Sequence, residues 1–163
     1  MLTGRERSRK GFTAKVGDFG LSHVIMDINE AIKLDRFGTP THMPPEVLKD
    51  GMLVSKCDVW SFGVILWQMW TCQRPWAGMS PQQVVAAVGL DGRKIAAPDD
   101  MPSDVRSLFL SCLETDHEKR PSFDEILNKV RDCAGRLAQG RRYASLWQPA
   151  TPWYSPACHL AVS

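Results

Sequence analysis

The stretch Lys15-Val16-Gly17-Asp18-Phe19-Gly20-Leu21-Ser22 places one carboxylate between two glycines, directly after the alternating segment Phe12-Thr13-Ala14-Lys15-Val16. A carboxylate fixed at the end of a strand suits a hard divalent cation such as magnesium, which takes oxygen ligands. An ordinary turn aspartate beside Gly20 would look the same, and three letters do not separate the two readings. Further charged residues recur in short motifs downstream: Glu46 in Pro44-Pro45-Glu46, Asp58 opening Asp58-Val59-Trp60-Ser61-Phe62-Gly63, and Arg120 closing His117-Glu118-Lys119-Arg120-Pro121.

These residues need elements to hold them. Phe12, Ala14 and Val16 alternate with Thr13 and Lys15, the period of a half-buried strand. Met1-Leu2-Thr3 supplies a partner for it across a charged tip, Gly4 to Gly11, so residues 1–16 are expected to form a hairpin. That tip reads as a solvated turn and is assigned no function. From Leu21 to Pro45 no period persists, which predicts a long loop of the kind that is usually functional or disordered.

Beyond Pro45 the pattern turns helical. Ser55-Lys56-Cys57-Asp58 has capping-box form and precedes a run apolar on nearly every side, broken only by Ser61 and Gln68; such a helix is expected to lie in the middle of the domain. Ser80-Pro81-Gln82-Gln83 starts a short helix. Val105, Leu108, Phe109, Cys112 and Leu113 predict another. The box Ser122-Phe123-Asp124-Glu125 opens a last one through Ile126, Leu127, Val130, Ala134 and Leu137, with Gly140 as its stop. After Gly140 the period is lost and prolines appear, so a disordered tail is expected, its Trp147, Trp153 and Tyr154 notwithstanding.

The totals set outer bounds. A chain of 163 residues is enough for one core. Twenty Lys plus Arg against eighteen Asp plus Glu leave +2, too near balance to direct the protein to nucleic acid or to a membrane surface. Five cysteines without a C-x-x-C pair read as idle thiols in a reducing compartment, and no signal peptide or spanning run is visible, so a cytoplasmic location is expected.

In the order D-F-G, P-P-E, D-x-W-S-F-G, R-P-W and H-x-K-R-P, the motifs resemble the second half of a protein kinase domain. The similarity runs from about Met1 to Leu137 and is greatest to the tyrosine-kinase-like group of serine/threonine kinases, the Raf-like and mixed-lineage type. It implies a mainly α fold, a kinase C-terminal lobe with a short β-hairpin at the N-terminus. Residues 1–138 would then be a partial kinase domain, with the hairpin at 1–16, the activation segment at 17–47 and the helical lobe at 48–138; residues 139–163 would be the tail.

The resemblance also implies roles. Asp18 would hold magnesium on the outer phosphates of ATP, Phe19 would pack beneath it, and Gly20 would complete the motif. Thr39, in Gly38-Thr39-Pro40, would face the protein substrate and favours serine/threonine substrates over tyrosine. Glu46 would pair with Arg120, and Asp58 would brace the catalytic loop as well as its own helix. Among the hydroxyls between Asp18 and Glu46, Ser22, Thr39 and Thr41, elimination leaves Thr41 as the candidate phosphosite.

Three departures stand out: Pro44 for the usual alanine, His42 where a tyrosine is frequent, and His117 for a common proline. The sequence contains no glycine-rich phosphate loop, no strand lysine paired to a helix glutamate and no H-R-D-x-x-x-x-N loop. The chain is expected to begin just past that loop. It is therefore expected to be inactive alone, with a pseudokinase-like interaction module, binding a partner protein through its exposed lobe surface, as the alternative.

Overall fold

A computed structural model describes residues 2–3, 13–20, 22–23, 31–33 and 39–139, with side chains for 15–20, 22–23, 31–33 and 39–135. The tail expected after Gly140 and the tip of the hairpin lie outside the described residues.

Strand β1 (Leu2–Thr3) pairs antiparallel with β2 (Thr13–Ala14), Leu2 opposite Ala14 and Thr3 opposite Thr13. The hairpin is thus present but shorter than its alternation suggests. Val16 falls outside the strand and is 86% exposed, because no described element covers that face. The segment after it is also not all loop. Ile32–Lys33 forms β3, which pairs antiparallel with β4 (Met52–Leu53). Two residues are too few for alternation to register in sequence, so this strand is defined by its partner rather than by its own pattern.

Helix α1 (Pro45–Asp50) begins on proline, whose missing N–H costs nothing at a first helical position, and ends on Gly51 at φ 67°. There the Gly51 N–H donates to the carbonyls of Glu46 and Val47, a left-handed stop that glycine adopts without strain. Helix α2 (Cys57–Thr71) is the axis of the body. It starts one residue later than expected, with Lys56 rather than Ser55 at the cap position and no side-chain capping bond there.

One side of α2 joins Trp60 and Val64 to Leu48, Val84, Val88, Met101, Phe109 and Leu113. The other joins Val59 to Leu108, Cys112 and Ile126. Gly63 lets α2 approach α4 (Ser103–Cys112) closely, since a Cβ there would lie 2.8 Å from Cys112 Cβ. Yet α2 is not enclosed on all sides. Ile65 and Met69 are 44% and 57% exposed, so the expectation of a helix wrapped by protein fails along that stripe among the described residues.

Helix α3 (Pro81–Val84) carries the full reciprocal box: Gln83 N–H donates to Ser80 Oγ and Ser80 N–H to Gln83 Oε1. It runs on into wider π turns over Val85–Leu90, which the sequence did not indicate. Gly89 in these turns packs against α1, where a Cβ would come within 3.1 Å of Leu48 Cβ. Helix α5 (Phe123–Gln139) opens with the expected Ser122–Glu125 box. Among the described side chains of its apolar stripe, Ile126 alone is buried; Phe123, Leu127 and Val130 stay nearly half exposed. Amphipathic spacing correctly marked the helix but overstated how much of its apolar face the described residues cover.

Candidate active site

Asp18 sits at φ 63°, a left-handed conformation that few non-glycine residues adopt and that aspartate tolerates better than most. Its side chain is exposed. Gly20 follows two residues later, where a Cβ would lie 3.5 Å from Asp18 Oδ1, and Ser22 N–H donates to the Phe19 carbonyl to close the turn behind it. The carboxylate is therefore exposed at a turn. The Phe19 side chain is 68% exposed, with no described helix or strand over it.

The expected magnesium can be tested against this geometry. Magnesium keeps most of its own water and commonly takes one or two carboxylates plus substrate phosphates. One exposed carboxylate at a fixed turn fits that demand. No group of three His, Cys, Asp or Glu that could cage a metal occurs among the described residues.

Thr39 is exposed and leads into a single 3-10 turn, Pro40–His42. This turn is tied to α2 at two points seven residues apart on one face. Ser61 Oγ–H donates to the His42 carbonyl at 2.9 Å, and His42 Nε2 lies 2.7 Å from Gln68 Oε1. On its other nitrogen, His42 Nδ1 lies 2.9 Å from Thr41 Oγ1. Thr41 is partly buried.

Glu46, in the first turn of α1, is brought to Arg120. The guanidinium donates twice to the carboxylate, Nη1–H to Oε1 at 2.6 Å and Nη2–H to Oε2 at 2.8 Å. Its remaining donors go to the carbonyls of Glu114, Lys56 and Thr115, and the group stacks 5.2 Å over the Trp60 ring. Arg120 is 1% exposed with all five N–H groups engaged. Lys56 adds a second brace by donating through Nζ to the carbonyls of Glu118 and Arg120. Cys57 donates its S–H to Glu46 Oε1 at 3.6 Å, and burial pushes its thiol up to about 12, so it stays protonated.

Asp58 stands exposed in the first turn of α2. Hydrogen bonds among the described residues thus join Glu46 to Arg120 and the Thr41-His42 turn to α2. None of them brings Asp18 to either group. Lys56, Cys57 and the pair Ser61 and Gln68 were not read as site residues. The last two had left a signal, since they are the polar interruptions of an otherwise apolar helix.

This arrangement can be set beside known proteins. Residues 8–130 match the family model for the protein tyrosine and serine/threonine kinases. The chain belongs to that family, and within it to the tyrosine-kinase-like group that its motifs resemble. It is 42% identical over 122 residues to the probable serine/threonine-protein kinase SIS8 of Arabidopsis thaliana, covering 75% of this chain and 12% of that protein. It is equally similar to the Arabidopsis thaliana serine/threonine-protein kinase CTR1, of which it covers 15%. The insulin-like growth factor 1 receptor of Xenopus laevis is 38% identical over 123 residues, 74% of this chain and 9% of the receptor. The chain spans less than a sixth of the length of these relatives. No helix among the described residues is long and apolar enough to cross a membrane.

Proposed function

We propose that this chain supplies the substrate-facing part of a serine/threonine protein kinase, the enzyme class that transfers the γ-phosphoryl group of ATP to protein hydroxyls. The observation that carries this reading is the exposed Thr39 leading into a half-buried turn that is fastened to α2 through both the carbonyl and the ring of His42. Thr39 there meets the hydroxyl-bearing side of a protein substrate, and Asp18 holds magnesium. When bound, the metal supplies positive charge to the phosphates as they shift during transfer. The chain's own residues supply anchorage: the buried Arg120–Glu46 pair holds the end of the segment to the helical body, and Lys56 braces the loop that carries Arg120. Two of the relatives named above are serine/threonine kinases, which favours that specificity over tyrosine.

The 163 residues contain no H-R-D-x-x-x-x-N loop, so the general base is missing from this chain, a loss of about 10²- to 10⁴-fold where such a base operates. The chain by itself transfers no phosphate. A radiometric assay with magnesium-ATP and a basic protein substrate tests this, and turnover above an Asp18→Ala control would refute it. A non-catalytic interaction module, in which a partner protein covers the lobe surface, is favoured by one observation: the exposed apolar residues on α2 and α5, Ile65, Met69, Leu127 and Val130. Thermal unfolding with millimolar magnesium-ATP tests whether the chain retains nucleotide binding, since a ligand that binds the folded state must raise the midpoint. No shift argues against such binding.

A further inference from the structure

His42 departs from the residue type its motif usually carries, and its ring lies between the Thr41 hydroxyl and the Gln68 amide. Gln68 presents its amide oxygen to Nε2 at 2.7 Å. An amide oxygen only accepts, so Nε2 carries the proton. In a neutral imidazole Nδ1 is then a bare lone pair, and the Thr41 hydroxyl 2.9 Å away must donate to it. With the Gln68 amide in this orientation the donors run in one order along the line: Thr41 Oγ–H to Nδ1, Nε2–H to Gln68 Oε1. The His42 carbonyl, held by Ser61 Oγ–H, keeps the residue from turning away.

We propose that His42 is a sensor of modification at Thr41, a positioning residue whose ring takes up a proton when Thr41 is phosphorylated and thereby tightens the substrate turn onto α2. This rests on the reading of Thr41 as a modified residue. Phosphorylation by a separate kinase replaces the Oγ–H bond with an Oγ–P bond; the terminal P–O bond of a nucleoside triphosphate breaks, the diphosphate leaves and the hydroxyl proton passes to solvent. The line then loses its donor at Nδ1 and gains a group of charge near −2 in its place. A lone pair facing a phosphate is repulsive, and protonation of Nδ1 converts the contact into a charge-assisted hydrogen bond. Nothing needs to change at the far nitrogen, because Nε2–H goes on donating to Gln68 from the imidazolium.

Among the described residues few other charges compete for the ring. The turn Pro40–His42 packs on α2 and α3. The titratable side chains of α2 are Cys57 and Asp58, both in its first turn, with Cys57 directed at Glu46 and Glu46 paired to Arg120. Helix α3 carries none. A phosphate on Thr41 is therefore the strongest new charge the imidazole would meet.

The test is nitrogen-detected NMR of the full chain, unmodified and with phosphothreonine placed at position 41. In the unmodified chain the neutral His42 ring should show Nε2 protonated and Nδ1 bare, and Gln68→Leu should erase that preference. In the phosphorylated chain the ring's titration midpoint should rise by about one pH unit or more, the effect of an opposite charge within hydrogen-bonding range. Thr41→Val, of nearly the same shape, should leave the midpoint within a few tenths of the unmodified value and serves as the folding control. A neutral ring protonated on Nδ1, a preference that survives Gln68→Leu, or a midpoint that phosphorylation leaves unmoved would each overturn the proposal. None of these readings depends on phosphate transfer by the chain, so an inactive chain does not count against it.

Discussion

Arg120 is the residue on which most of the lobe's polar order converges. A guanidinium offers five N–H groups in a planar fork, and here each has an acceptor: two carboxylate oxygens on Glu46 and three backbone carbonyls. A buried pair of this kind is worth little against an apolar replacement, but removing one partner strands the other. Arg120→Ala should therefore lower stability by about 3 to 5 kcal/mol, as measured by urea unfolding. Arg120→Lys should recover only part of it, because an ammonium has three donors and no fork. A loss below ~1 kcal/mol would mean that Glu46 finds water instead. The sequence made this pair legible through two short motifs 74 residues apart; it gave no hint that Lys56 and Cys57 complete the surroundings. Their roles depend on backbone carbonyls and on burial, which no residue type announces.

At the scale of elements, the helices owe their starts to local rules and their packing to single small residues. Both reciprocal boxes that form, at Ser80 and Ser122, were readable because each needs only side chains three residues apart. The Ser122 N–H holds the Glu125 carboxyl below its usual value of 4.5, and the Glu118 N–H holds Asp116 below 3.8. A depressed carboxyl stabilises the fold above its unfolded value and gives that up as pH falls through the folded one. Thermal midpoints should therefore drop as pH is lowered from about 4.5, and Glu125→Gln should flatten the drop. An unchanged acid limb in the variant would remove this box as its source.

Gly63 makes a different kind of demand. A methyl group there would meet Cys112 Cβ at 2.8 Å and Leu113 Cδ2 at 3.2 Å, so Gly63→Ala should destabilise by about 1 to 3 kcal/mol even though alanine is the better helix former. A gain in stability by calorimetry would show that α2 and α4 can separate freely. In the sequence Gly63 looks like a helix weakness. Only the crossing of two helices makes it a requirement.

At the scale of the molecule, the described residues bury a core on two sides of α2 and leave apolar stripes open on a third and on α5. Scattered apolar exposure is normal, but Ile65, Met69, Phe123, Leu127 and Val130 are all large side chains on two of the longer helices. The chain on its own should bind an apolar dye such as ANS at neutral pH and elute above 18.3 kDa in size-exclusion chromatography. A monodisperse 18.3 kDa peak with no dye binding would show those stripes to be satisfied by the chain itself.

By itself the sequence determined the family, the order of the motifs, the hairpin and the helices from α2 onward, two of them with their boxed starts. Each of these rests on residues near one another in the chain, or on a motif specific enough to be read at any distance. The tertiary structure decided what chain-local patterns do not contain: the strand at Ile32, the π turns against Leu48, the exposure of Phe19 and the uncovered stripe on α2. It also gave Ser61 and Gln68 their purpose. Two polar residues in an apolar helix are unexplained until the loop they hold arrives beside them, and a hydrogen bond has no meaning until both its ends are in place.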